Sequence, residues 1–224
     1  MNHINKNSYI ALTRLLLSSL LLCLFASCSS SEDEYDPYYD WAERNSAWYR
    51  QIADSARTAI NEARKTYGDA WESHCEWRMY KSLHKSPSLQ SGILEDSICV
   101  HIISSGTGIS PLYNDSVRVS FRGWLMPVVD EWGDSYETIF SQTYYGPYNP
   151  ATAAPQLAAV SSFKDGVATA LQYMHVDDKW VIYLPQELFY GATASGLIPA
   201  YSTARMQLHL RAVYPLGTEV PDWK

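Results

Sequence analysis

Residues 170–198 read ALQYMHVDDKWVIYLPQELFYGATASGLI, and the change of period along them decides the fold. Val167, Ala170, Leu171 and Met174 recur at i, i+3, i+4 and i+7, which puts them on one face of a short amphipathic helix. That face needs a floor. The run Lys179–Leu184, KWVIYL, provides one: its β-branched and aromatic residues favour a strand, and Pro185, unable to donate to a ladder, ends it. Asp177-Asp178 between helix and strand reads as a turn rather than a pair of acid/base carboxylates, because Asp side chains satisfy turn N–H groups.

Working outward, Val117, Val119 and Phe121 alternate with Arg118, Ser120 and Arg122, so this strand has one buried and one wet face. Residues 204–211 alternate in the same way. Residues 77–83 and 97–103 read as two further strands, the second apolar on both faces. Residues 126–136, with Pro127, Gly133 and the acids Asp130, Glu131 and Asp134, form an elongated hairpin or loop; residues 144–159 show no period and read as a long loop. Upstream, Trp41, Asn45, Trp48, Ile52, Ala56, Ala59, Ile60 and Ala63 follow a three-four spacing that Gly68 stops, giving a long amphipathic helix. Its stripe is short of Leu, which favours packing on its own domain over a homodimerisation arm.

The amino terminus carries an address. Lys6 and Arg14 precede the apolar run 15–25, too short to span a membrane as a mature helix, and Ala26-Ser27-Cys28 follows. This reads as a signal peptide, and the small residues before Cys28 resemble a bacterial lipobox, which would make Cys28 the lipidated first residue; an ordinary secretory signal in which Cys28 is incidental is the alternative. An outer-membrane lipoprotein on the periplasmic or cell-surface face is the expected localisation. Residues 29–36 are polar and acidic, a solvated tether that also resembles the surface-export signal of some Bacteroidetes lipoproteins.

The chain has 224 residues with Lys+Arg 17 against Asp+Glu 24; loss of Lys6 and Arg14 with the signal leaves 15 against 24, a formal charge of −9. That balance argues against nucleic acid and anionic headgroups as partners, which need a basic face, so membrane attachment would come from the lipid alone. The 17 Tyr and 8 Trp suit half-buried sheet faces and grooves. Beyond Cys23 and Cys28 only Cys75 and Cys99 remain, and in an oxidising compartment a disulfide between them and two free thiols are both open. The six His show no metal-ligand spacing, and neither a Walker loop nor a G-x-S-x-G is present, so no metal site is expected.

Taken in order, Gly166, Ala170-Leu171-Gln172, Met174, Val176, Asp178-Lys179-Trp180, Pro185, Glu187-Leu188, Tyr190-Gly191, Ile198-Pro199 and Ser202-Thr203 resemble the second half of FKBP-type peptidyl-prolyl cis/trans isomerases. The strand at 117–125, Phe140 and the strand at 204–211 match further landmarks, so the resemblance covers about half the chain. It implies an α+β fold: a twisted antiparallel sheet of about five or six strands wrapped on a short helix, with the N-terminal helix outside it. The organisation is then a signal peptide (1–27), a lipidated acidic tether (28–39), the N-terminal helix and connecting segment (40–96), and an FKBP-like domain (97–224). It also implies a cofactor-free isomerase acting on X-Pro segments of exported client proteins. The resemblance makes Tyr190 the hydroxyl donor to the ligand carbonyl, Phe140 a wall and Ile198 an aliphatic contact, the three catalytic positions. Phe121, Phe163, Lys164, Val167, Leu197 and Met206 take substrate-binding positions.

Four positions depart from the family's pattern: Val167 stands where a floor Trp belongs, Phe121 where a Tyr does, Ser141 at an edge Asp, and Met206 at a Phe. Ser195 only approximately fills a contact position, and Trp124 or Trp132 are candidates to fill the floor from elsewhere. Enzyme status is therefore uncertain from sequence. An isomerase, a catalytically degenerate peptide-binding module on an anchored scaffold, and a structural lipoprotein are the competing expectations.

Overall fold

The alternating runs 117–125 and 204–211 become the paired centre of an antiparallel sheet. The structure, a computed structural model, describes residues 35–85 and 94–223. In chain order its elements are α1 (Trp41–Tyr67), β1 (Trp77–Lys81), β2 (Ser97–Ser104), β3 (Ser116–Leu125), β4 (Val128–Val129), β5 (Ser135–Tyr136), β6 (Ile139–Gln142), β7 (Gln156–Ala159), α2 (Asp165–Tyr173), β8 (Lys179–Leu184) and β9 (Ala204–Tyr214). The segment expected to be a signal peptide, and Cys28, lie outside the described residues. Pro37–Lys224 is one compact unit.

The main sheet runs β1-β2-β8-β9-β3-β6, with β7 also on β3, and every pair in it is antiparallel. This is the α+β architecture expected from the sequence, with one strand more than expected. The extra strand is β7, which lies in the stretch read as a loop. Gln156–Ala159 pairs with Ser116–Val119 through main-chain bonds, while its own side chains are exposed or half-buried and show no alternation to read.

On the inner face, Val117, Val119, Phe121 and Leu125 of β3 meet Met206, Leu208 and Leu210 of β9 and Trp180, Ile182 and Leu184 of β8. Val167, Ala170 and Leu171 of α2, with Met174 just past its end, close the core from above, all between 0 and 3% exposed. A fully buried Leu or Met side chain contributes about 1.5–3 kcal/mol by removal from water, so this face carries much of the stability. Asp178 is buried in the turn before β8, its carboxylate accepting the N–H groups of His175 at 2.7 Å and Gly106 at 2.6 Å. These bonds hold the 104–108 loop against the helix-to-strand corner.

On the outer face α1 lies across β1, β2 and β8. Tyr49, Ala53 and Ala56 pack on Cys99, with Trp77, Met79 and Tyr183 around them, which is why β2 is apolar on both sides. The buried stripe runs through Tyr49 and Ala53 rather than Trp48 and Ile52, because the small Ala53 and Ala56 let the helix approach the sheet closely. Gly68, at φ 56, ends the helix, its N–H donating to Arg64 O. Two residues of the first turns reach further: Trp41 Nε1 donates to Ser202 Oγ at 3.0 Å, and Asn45 Oδ1 accepts the N–H of Thr203 at 2.8 Å.

The Cys75–Cys99 pairing is not made; both thiols are free. Cys99 faces Met79 in the β1-β2 register, four residues from Cys75 along the chain, roughly 13 Å at strand spacing and well beyond disulfide reach. β4 and β5 form the hairpin expected at 126–136, with Asp130 Oδ1 accepting the N–H groups of Trp132 and Asp134.

Candidate functional site

A cavity of about 440 Å³ opens where the start of α2 meets β3, β6, β9 and the loop after β8. Phe121 and Met206 form its base from adjacent strands, 7 and 5% exposed. Val167, in the first turn of α2, and Ile198 are likewise buried within its lining, while Phe163, Lys164 and Leu197 stand toward the rim.

Phe140 is placed by a glycine. On β3, Gly123 pairs with Ser141 and Met206, and a Cβ at Gly123 would run into the Phe140 ring. Only a residue without a side chain lets that ring lie flat on the strand. Tyr190 is placed by a closed loop. Gly191, at φ 57, turns the chain back so that its N–H donates to Gln186 O at 2.9 Å, and Tyr201 N–H donates to Gly191 O at 2.7 Å. Ser195 and Ile198 exchange two main-chain bonds of 2.9 Å between these ends. Trp41 and Asn45 of α1 then brace Ser202 and Thr203, just beyond the loop.

All nine residues assigned by sequence to catalysis or substrate binding line this one cavity, as do Ser141 and Ser195. Trp124 and Trp132 do not. Trp124 lies on the outer face with the Arg205 guanidinium 4.5 Å from its ring centre, and Trp132 is 79% exposed on the β4-β5 hairpin. The ring that joins the lining instead is Phe189, which sequence reading passed over. It is 8% exposed, 5.4 Å from Phe140 and edge-on to Tyr190 at 4.6 Å. The readable signal was an aromatic residue directly before the Tyr-Gly pair, at a position the motif leaves unspecified.

The polar lining is Ser141, Gln156, Ser162, Lys164, Tyr190 and Ser195, with no histidine and no carboxylate. A Ser-His or Cys-His nucleophile–base pair is not among these residues. Among the described residues, the Tyr190 hydroxyl makes no hydrogen bond, so it is free to donate to a ligand carbonyl. The cavity's aromatic and aliphatic walls, with the Tyr190 hydroxyl among them, suit an apolar ring joined to an amide.

Groups with perturbed titration lie away from the groove. Burial pushes the Cys99 thiol up to about 11, where it stays protonated and inert. Burial, aided by Arg211 and Lys179, lowers His209 to about 4. A larger cleft of about 820 Å³ between α1 and β1-β2 contains Glu72, His74, Cys75 and Glu76. No group of three or more His, Cys, Asp or Glu among the described residues is arranged to hold a metal.

The chain is 30% identical over 117 residues to the FKBP-type 22 kDa peptidyl-prolyl cis-trans isomerase of Escherichia coli, covering 52% of this chain and 50% of that one. It is 28% identical over 122 residues to the outer membrane protein MIP of Legionella longbeachae, covering 54% and 46%. The chain thus spans about half the length of the curated relatives it matches. Among solved structures, a peptidyl-prolyl cis-trans isomerase from Pseudomonas syringae pv. tomato aligns at 22% identity and a TM-score of 0.42, covering 74% of this chain and 95% of that one. No family model matches.

Proposed function

We propose that this chain, which carries an FKBP-like peptidyl-prolyl cis/trans isomerase domain, accelerates X-Pro rotation in exported proteins as an extracytoplasmic lipoprotein. The observation that carries the reading is convergence: Phe121, Phe140, Val167, Tyr190, Ile198 and Met206, from five separate segments, meet around one cavity whose Tyr hydroxyl makes no hydrogen bond among the described residues.

The chemistry asks for little more. Rotation of the amide has a barrier of about 18–20 kcal/mol because C–N conjugation is lost in the twisted state. A pocket that grips the pyrrolidine ring and takes the amide out of water disfavours the planar, charge-separated ground state relative to the twisted one. Phe121, Phe140 and Phe189 supply the apolar surface. The Tyr190 hydroxyl fixes the carbonyl oxygen while the ring side turns. Each 1.4 kcal/mol gained this way is tenfold in rate, and no metal or cofactor takes part.

The four substitutions favour a second reading, a peptide-holding module without turnover. Val167 for a floor Trp removes contact area, although Phe189 returns an aromatic ring to the same cavity. The deciding assay follows isomerisation of a short X-Pro peptide with the full chain and its Tyr190→Phe variant. Acceleration that falls by about 2- to 13-fold in the variant, the worth of one neutral hydrogen bond, supports catalysis by this groove. A folded wild-type chain that binds the peptide without accelerating rotation leaves the holding module.

The localisation proposal rests on residues 1–36: the charged start, the apolar run and Cys28. One relative is described as an outer membrane protein. Mass spectrometry of the mature amino terminus tests it, since a diacylglyceryl-modified Cys28 is expected and an unmodified cleavage site refutes it.

A further inference from the structure

Among the described residues, Lys164 is the one charged side chain in the groove lining. Its ammonium stands 4.0 Å from the centre of the Tyr190 ring, and it makes no ion pair among the described residues. The acids nearest in sequence are engaged away from it. Asp165 accepts from Ser82 Oγ and pairs with His84 Nδ1, both at 2.8 Å, and Glu187 accepts from Gln186 Nε2 at 2.8 Å. At the rim, Ser141 brings a hydroxyl and no charge. The whole chain is acidic, at a formal −7, so a cationic groove does not simply follow the bulk composition.

The carbonyl of the bond that rotates belongs to the residue X before the proline, and on the peptide-binding reading Tyr190 donates to it. On that reading X lies against the Tyr190 ring, whose centre is 4.0 Å from the Lys164 ammonium. An ammonium against an aromatic wall sits in a lower effective dielectric than bulk water, so it attracts a carboxylate more strongly there. Its flexible four-carbon stem lets it swing from ring to carboxylate.

We propose that the groove selects X-Pro segments in which X is Glu or Asp, with Lys164 setting the preference; this rests on the peptide-binding reading above. The test uses the full chain and two peptides that differ only in Glu or Gln before the proline. Isomerisation is followed by kcat/KM and binding by calorimetry. A Glu-over-Gln ratio of roughly two to five is expected, the range an exposed ion pair supports, and added salt shrinks it. Lys164→Gln brings the ratio to one and Lys164→Glu takes it below one. The ratio is read within each variant, so a change in turnover common to both peptides does not enter.

A ratio of one in the wild type overturns the proposal, as does a preference that survives Lys164→Gln. If neither peptide is turned over, the isomerase reading fails, while the ratio of dissociation constants still decides the charge preference, a value of one overturning it.

Discussion

Asn45→Ala removes a buried clamp between α1 and the segment that closes the groove. Asn45 is 0% exposed; its Oδ1 accepts the N–H of Thr203 at 2.8 Å and its Nδ2 donates to Trp41 O at 2.7 Å. The backbone carbonyl of Asn45 keeps its bond from Thr203 Oγ1 in the variant, so the side-chain bonds alone are lost. Truncation leaves the Thr203 N–H buried without an acceptor, which costs about 1–3 kcal/mol. A small void adds to this, and the better helix propensity of Ala returns about 0.5 kcal/mol. The net expectation is a loss of about 2–3 kcal/mol, or roughly 4–12 °C in Tm for a unit of this size. Urea unfolding provides the assay: the midpoint falls while the slope is unchanged, because the surface exposed on unfolding is the same. Thr203 lies five residues beyond Ile198, so affinity for an X-Pro peptide falls as well. A variant within about 0.5 kcal/mol of wild type, the range of ordinary surface substitutions, would refute the clamp.

Gly123→Ala puts a methyl group against the Phe140 ring, so the ring leaves the strand and the cavity loses a wall. Isomerisation or peptide binding is expected to drop at least tenfold while far-ultraviolet circular dichroism is retained; unchanged activity would mean that Phe140 does not need this seat. His209 carries a pH dependence, because burial, then Arg211, holds its pKa at about 4 against 6.5 for the ordinary group. Between those values the unfolded chain binds the proton and the native chain does not, so stability is full above about pH 6.5 and declines as pH falls toward 4. Urea midpoints across that window, compared with a His209→Gln variant, should show a shallower slope in the variant; equal slopes would place the titration elsewhere.

Local patterns were legible wherever one residue's neighbours along the chain set its environment. The period of Val167, Ala170, Leu171 and Met174 marked α2, and the alternation of β3 and β9 marked the sheet's centre, since a face buried against one floor imposes a regular spacing. Gly68 marked the end of α1 because its conformation is a property of the residue itself. β7 was not legible, because its pairing comes from β3's main chain and leaves no side-chain period. The choice of Tyr49 and Ala53 over Trp48 and Ile52 as the buried stripe was equally hidden, since how the helix rotates on its axis depends on which small residues meet the sheet.

The groove divides along the same line. The identities of Tyr190, Phe140, Ile198 and the four substituted positions stand in the chain and could be read from motif order. That Phe189 joins them while Trp124 and Trp132 turn away is decided by which face of the sheet each occupies and by where the loop closes. The failure of Cys75 and Cys99 to meet follows from the β1-β2 register. Sequence alone determined the helix and strand periods, the turn chemistry at Asp177-Asp178 and the residue types available to the site, because those depend on local spacing and side-chain character, while the α+β class came from the order of motifs that the chain shares with the family it resembles. Tertiary structure decided the register, the partners of Asn45 and the ring over which Lys164 hangs, because contacts between residues 26 to 158 positions apart are fixed by packing and leave no trace in spacing.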